Sequence, residues 1–217
     1  MAKIKKVKSI SNKKEHVKKK VDLADIEKVI IKISIEIAKR GEGALFVIGD
    51  RIHYGKLVRH KFGKINVFDK GAEKVLKGLA VIDGATIIDR KGNLVNYGVL
   101  IKNTRPFVGF GTRHAAAVTA SKNGNVAILS SEEERKVKIF RGGRYIMQID
   151  ALQKNVEQKV PAISKILETA GAGTLGYIGA ATLAPTLGIA LIPGIVVFGG
   201  SYYAIKSFLD RFNNGKQ

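Results

Sequence analysis

Three short segments of the chain carry residues able to do chemistry on phosphates. The first is Ile82-Asp83-Gly84-Ala85, where a carboxylate interrupts an apolar run. The glycine after it lets another group approach the backbone closely, although a plain Asp-Gly turn between two strands accounts for the same residues. The second is Gly109-Phe110-Gly111-Thr112-Arg113-His114. A glycine-containing loop there enters an alanine-rich segment, with Thr112 placed to act as N-cap. The open N–H groups of a first helical turn, the helix dipole and Arg113 together make an anion site suited to phosphates. A capped helix with a surface arginine is the plainer alternative, and the Gly-Lys-Ser/Thr element of a P-loop is missing. The third is Ser130-Ser131-Glu132-Glu133-Glu134, which follows an apolar strand. Its carboxylates suit a divalent metal and its hydroxyls suit a phosphate, although an acidic turn has the same composition.

The elements that must position these segments follow from hydrophobic spacing. Ile26, Val29, Ile30, Ile33, Ile37 and Ala38 recur at helical intervals, predicting a helix from a cap at Asp22 or Asp25 to about Arg40. Ala44 to Ile48 is an apolar run between Gly43 and Gly49, which predicts a buried strand. A short helix is expected over residues 72–79, then a strand region over 80–88 interrupted by Asp83-Gly84. Leu94 to Ile101 is a further strand, and Thr112 to Lys122 a helix of high alanine content. Val126 to Leu129 is a strand, and Arg141-Gly142-Gly143-Arg144 joins residues 136–140 and 145–149 as a hairpin. The mixture predicts an α/β fold, a mixed central β-sheet flanked by helices.

Taken in order, Asp83-Gly84-Ala85, Tyr97, Gly111-Thr112-Arg113-His114 and Ser131-Glu132-Glu133 resemble the diadenylate cyclase family, and Gly43 to Ile48 looks like that family's first core strand. The resemblance spans about residues 22 to 141. It implies condensation of two ATP molecules into cyclic di-AMP and two pyrophosphates. Two subunits face each other, so a homodimer or higher homo-oligomer is expected, with Mn²⁺ or Mg²⁺ required. By motif position, Asp83 falls to the attacking ribose 3′-hydroxyl and Arg113 to catalysis at the phosphates. Gly84, Ala85, Gly111, Thr112, His114, Ser131 and Glu132 fall to ATP binding, Tyr97 to the adenine and Glu133 to the metal. Much of the family has Arg-His-Arg where this chain has Arg113-His114-Ala115, so Lys102 or Arg105 is expected to supply the missing charge. The Tyr97 region also departs, reading Tyr-Gly-Val-Leu in place of the common Tyr-Leu-Pro-Leu.

Composition bounds the rest. With 217 residues the chain can hold one full domain and an appendage. It has no cysteine, which excludes disulfides and thiolate zinc. The net charge is +20, and nine lysines stand against one glutamate in residues 1–20. That composition predicts a basic, disordered arm and no secretory signal. Residues 21–150 are read as the catalytic domain and 151–217 as a helical region. Within the latter, Thr169 to Ile205 has 37 residues without Asp, Glu, Lys, Arg or His. A span needs about 20 apolar residues, and basic residues flank both sides, so a membrane hairpin with cytoplasmic ends is expected there. Paired helices buried against the domain are the alternative. The expected location is cytoplasmic, with membrane association through 169–205. Gly171 to Gly176 matches GxGxxG but follows a helical pattern with no acidic residue at the right distance, so it is not a dinucleotide site. His16, His53 and His60 show no ligand spacing. A basic nucleic-acid- or membrane-associated nucleotide-binding protein without turnover is the competing function. Few aromatics and no nucleic-acid motif make nucleic acid the weaker partner.

Overall fold

The computed structural model describes residues 21–58, 63–105, 111–171 and 195–197. Helix α1 (Leu23–Lys39) begins where the Asp22 side chain accepts from the Ala24 amide at 3.2 Å. It is followed by β1 (Ala44–Ile48), β2 (Tyr54–Lys56), α2 (Ala72–Ala80), β3 (Ala85–Ile88), β4 (Leu94–Ile101) and α3 (Thr112–Ala120). Then come β5 (Val126–Ser131), β6 (Lys136–Arg141), β7 (Arg144–Asp150), a 3₁₀ turn (Val156–Lys159), α4 (Val160–Gly171) and β8 (Ile195–Val197).

The eight strands among the described residues form one sheet in the order β2-β4-β3-β1-β5-β6-β7-β8. Only β1 and β3 pair in parallel; every other neighbour is antiparallel. Alternation sorts the side chains into two cores. Ala44, Phe46 and Ile48 join the inner faces of α1, α2 and α4, whereas Leu45 and Val47 join α3 through Ala117, Val118 and Ala120. β1 is thus buried along all five residues, as a strand covered on both faces must be.

Several expectations change here. The strand expected over 80–88 is only β3, because Ala80 ends α2 and residues 81–84 turn; Asp83-Gly84 precedes the strand instead of interrupting it. β2 escaped prediction because a three-residue strand has too few positions to show a period. Gly111, not Thr112, is the N-cap of α3 and offers no side-chain acceptor, so Thr112 is the first helical residue. The C-terminal region is not uniformly helical: Ile195–Val197 is a strand paired with Met147–Ile149 of β7. Ala151, Val156, Val160, Ile163 and Leu167 belong to the same buried cluster as α1 and β5–β7. Among the described residues no helix is long and apolar enough to cross a membrane. Most of the stretch 169–205, and the arm 1–20, lie outside the described residues.

One buried ion pair ties three elements together. Glu27 on α1 is fully buried and bonds Arg141 at the end of β6, whose other amino group donates to the Leu167 carbonyl of α4 at 2.8 Å. Burial pushes the Glu27 carboxyl above its usual range, against the pull of Arg141. Removing one partner from such a pair strands the other. Arg141→Met should therefore cost about 3 kcal/mol in urea denaturation at neutral pH, and less in mildly acidic buffer where Glu27 takes up a proton. Adding Glu27→Leu should recover most of the loss.

Candidate active site

The three motif segments meet at one edge of the sheet, and strand pairing brings them there. Leu45 of β1 is level with Ala85 of β3 in the parallel pair, so stepping back along both strands reaches Ala44 and Gly84, then Gly43 and Asp83. On the other side of β1, Ala44 is level with Ser130 of the antiparallel β5. The starts of β1 and β3 and the end of β5 therefore share an edge. Ligand sites in parallel sheets usually lie beyond the carboxyl ends of the strands. Here β1 and β3 contribute their amino ends, while β5 and β4, antiparallel to them, contribute carboxyl ends.

Arg113, in the first turn of α3, links the segments. Its guanidinium lies 3.9 Å from Asp83 Oδ1 and 3.5 Å from Glu132 Oε2. The Asp83 side chain is 90% exposed, so these contacts are weak and easily exchanged. Gly43 makes room for the group. A Cβ added there would stand 2.2 Å from Arg113 Nη1 and 2.9 Å from Glu132 Oε2. On the sequence, Gly43 reads only as a strand boundary; its role as the floor under the guanidinium is visible only once β1 and α3 are packed.

The Asp83 loop is seated on an irregularity in β4. Between Ala85–Val99 and Ile87–Asn96 the register shifts by one residue, placing a bulge at Tyr97-Gly98. Gly98 has φ 53, and a Cβ on Gly84 would fall 2.7–2.9 Å from the Gly98–Val99 backbone. Gly84 is thus demanded by backbone meeting backbone, and Gly98 by its left-handed φ and by the Val58 side chain, 2.6 Å from where a Cβ would stand. The Gly98 carbonyl also accepts from the amides of Leu57 at 3.0 Å and Val58 at 3.3 Å. The departure from Tyr-Leu-Pro-Leu therefore has a local structural basis. Tyr97 itself is buried.

The remaining residues take separate places. Gly111 and Thr112 are exposed at the start of α3. Ala85 is buried at the start of β3. Ser131 is buried, and its hydroxyl accepts from the Glu134 amide at 3.4 Å. Glu133 is exposed and forms no ion pair among the described residues. Glu134 is engaged by Lys136 and Lys138; burial opposes its ionisation, but the Lys138 bond and charge hold it below the usual carboxylate range. Among the described residues no three acidic or imidazole groups converge as a metal cluster.

His114 faces Lys138 of β6, whose ammonium lies 3.0 Å from His114 Nε2. Burial and the Lys138 charge lower its pKa to about 4, so the imidazole is neutral at pH 7. Lys138 donating to Nε2 leaves the ring proton on Nδ1. Lys138 is therefore the second cation beside the motif, whereas Lys102 and Arg105 line a different cleft. Ala115 is 3% exposed. The missed signal was a lysine alternating with Val137 and Ile139 on a buried strand.

The family model of the DAC domain, the DisA bacterial checkpoint controller nucleotide-binding domain, matches residues 33–145. The diadenylate cyclase of Methanocaldococcus jannaschii is 32% identical over 138 residues, 57% of this chain and 45% of that protein. That of Haloferax volcanii is 30% identical over 140 residues, 56% of this chain and 51% of that protein. The chain thus spans about half the length of the curated relatives it matches. The crystal structure of DacA from Staphylococcus aureus is 20% identical, with a TM-score of 0.42, covering 66% of this chain and 95% of that one.

The lowered pKa of His114 has a consequence for stability. Between pH 4 and 6.5 the folded protein binds fewer protons at this ring than the unfolded chain does. Stability should fall as pH drops through that window, with His114 contributing up to about 3 kcal/mol. His114→Gln, which keeps an acceptor for Lys138, should flatten the dependence of the denaturation midpoint on pH between 4 and 6.5.

Proposed function

The chain belongs to the DAC family, and on that premise we propose that it is a diadenylate cyclase, condensing two ATP molecules into cyclic di-AMP. Each ribose 3′-oxygen forms a bond to the α-phosphorus of the opposite ATP and gives up its proton. Each bond between the α-phosphorus and the bridging oxygen to the β-phosphate breaks, and two pyrophosphates leave. One subunit binds one ATP, so two subunits must face each other for both bonds to form.

The observation that carries this reading is the position of Arg113, suspended between Asp83 and Glu132 over the glycine floor of Gly43. Its present contacts are weak, so a triphosphate can take the guanidinium over, with charge-assisted bonds that an exposed carboxylate at 3.9 Å does not match. Freed from Arg113, Asp83 is available to receive the 3′-hydroxyl proton. The uncapped first turn of α3 offers amides at Thr112 and Arg113 to the same phosphates. Positioning and charge neutralisation supply most of the acceleration in such displacements. Ser131, Glu132 and Tyr97 take the phosphate and adenine roles that their motif positions imply, and His114 contributes as a neutral ring.

The exposed Glu133 is the candidate ligand for a hard divalent ion, Mn²⁺ or Mg²⁺, since such ions are commonly held by one or two carboxylates plus substrate phosphates. When bound, the ion would neutralise phosphate charge and favour ionisation of the hydroxyl.

The decisive experiment incubates purified protein with ATP and Mn²⁺ and follows cyclic di-AMP by mass spectrometry. Turnover is expected, and Asp83→Asn should lower it by at least about 100-fold, the range of a lost general base. ATP hydrolysed to ADP or AMP with no cyclic product under any divalent metal would overturn the assignment and favour nucleotide binding without cyclisation. Gly43→Ala separates position from stability. The atoms it displaces are ends of flexible side chains, so the melting temperature should hardly change. Turnover should nevertheless fall at least about 10-fold, since a catalytic group moved by about 1 Å is costly.

A further inference from the structure

The described structure holds a second polar cleft, of about 460 Å³, at the opposite end of α3 from Arg113. Its walls are the 51–53 segment after β1, the 101–105 segment after β4, and residues 118–125 at the end of α3. None of the motif residues Asp83–Ala85, Gly111–His114 or Ser131–Glu133 lines it. α3 has nine residues and is about 13 Å long at 1.5 Å per residue, so the two sites are separate.

The chemistry of this cleft is one-sided. Arg51, Lys102, Arg105 and Lys122 stand on its rim, all exposed, with His53 beside them. No carboxylate is among the lining residues, and none of these four forms an ion pair among the described residues. Elsewhere the protein pairs its cations readily: Lys39, Lys77, Arg90, Lys138 and Arg141 all have carboxylate partners. The floor is apolar, formed by buried Ile101, Val118 and Ala120. Asn103 and Asn123 bound the cleft in left-handed conformations, with φ 58 and 56.

A helix C-terminus ordinarily repels anions. Here its carbonyls are occupied. Asn125 Nδ2 donates to Ala120 O at 3.1 Å and to Arg51 O at 3.0 Å, which also pins two walls together. Gly142 N takes Ser121 O at 2.8 Å, and Ser121 Oγ takes Val118 O at 3.0 Å. The negative pole is blunted, and the four rim cations set the local field.

We propose that this cleft is a second binding site, for the polyphosphate group of a small anion: a nucleoside polyphosphate or free pyrophosphate. Four convergent cations match several phosphates rather than one. The concave shape and a volume within the usual range for small-ligand sites favour a compact anion over duplex nucleic acid.

The test is calorimetric titration of the full chain carrying Arg113→Ala, which weakens the first site, with pyrophosphate, ATP and adenosine in turn. Pyrophosphate and ATP should each bind at one equivalent per chain, and adenosine should not. Adding Lys102→Ala and Lys122→Ala, both exposed positions, should weaken the remaining binding at least 10-fold with an unchanged circular dichroism spectrum. Equal affinities for the two anions would identify the polyphosphate as the recognised group; tighter ATP binding would show that the apolar floor reads the nucleoside. Loss of all binding in Arg113→Ala, or binding indifferent to the two lysines, would overturn the proposal, the latter pointing to the Lys-rich residues 1–20. Binding of an oligonucleotide through these lysines with none of pyrophosphate would overturn it too. The readout is binding, so this site and the cyclase assignment fail independently.

Discussion

The parallel pairing of β1 with β3, with β5 running antiparallel on β1's other side, is the constraint on which the site depends. Register converts sequence distance into proximity: Gly43, Asp83 and Ser131 are far apart along the chain, yet each lies at the same edge of the sheet. A slip of one residue in either pairing would turn alternate side chains to the wrong face. Full burial of β1 on both faces makes such a slip expensive. The most rigid element of the fold is thus also the ruler for the site.

Rigidity stops at the backbone. Gly84 lets two main chains meet closely, so the Asp83 loop has little freedom to shift. The charged groups beside it are held loosely by comparison, with a one-third-exposed Arg113 shared between two exposed carboxylates at 3.5 and 3.9 Å. Such an arrangement keeps guanidinium and carboxylates mutually neutralised at small cost to their separation. The charges around His114 behave differently. Lys138, Glu134 and His114 form a linked group in which burial, aided by the Lys138 charge, keeps the imidazole neutral, so the second position of the Arg-His pair offers hydrogen-bonding capacity and no charge.

What could be read from the chain follows the length of the signal. α1 repeats its isoleucines over four turns and has an aspartate at its head, and both ends were legible. β1 announced itself as an apolar run between glycines, and the Gly142-Gly143 hairpin by its turn residues. β2 and β8, three residues each, carry no period. Thr112 looked like a cap because Thr is a favoured one, yet the extended residue is Gly111, and propensity alone cannot choose between adjacent candidates. The motif residues were legible as chemistry, but Gly43 and Lys138 were not, because each matters only through a neighbour more than 20 residues away.

The distribution of charge adds a last step. A net charge of +20 invites a diffuse explanation such as solubility or attraction to any polyanion. The described residues argue for something more ordered. Where cations lie near the motif, they are balanced by Asp83, Glu132 and Glu134; where they line the cleft past the end of α3, no acid is supplied. Both regions are built on the same nine-residue helix, whose open N–H groups face one and whose satisfied carbonyls face the other. An unbalanced cluster of cations lowers stability through mutual repulsion, so its persistence around a concave, apolar-floored space is more economically explained by an anion that completes it than by surface charge alone.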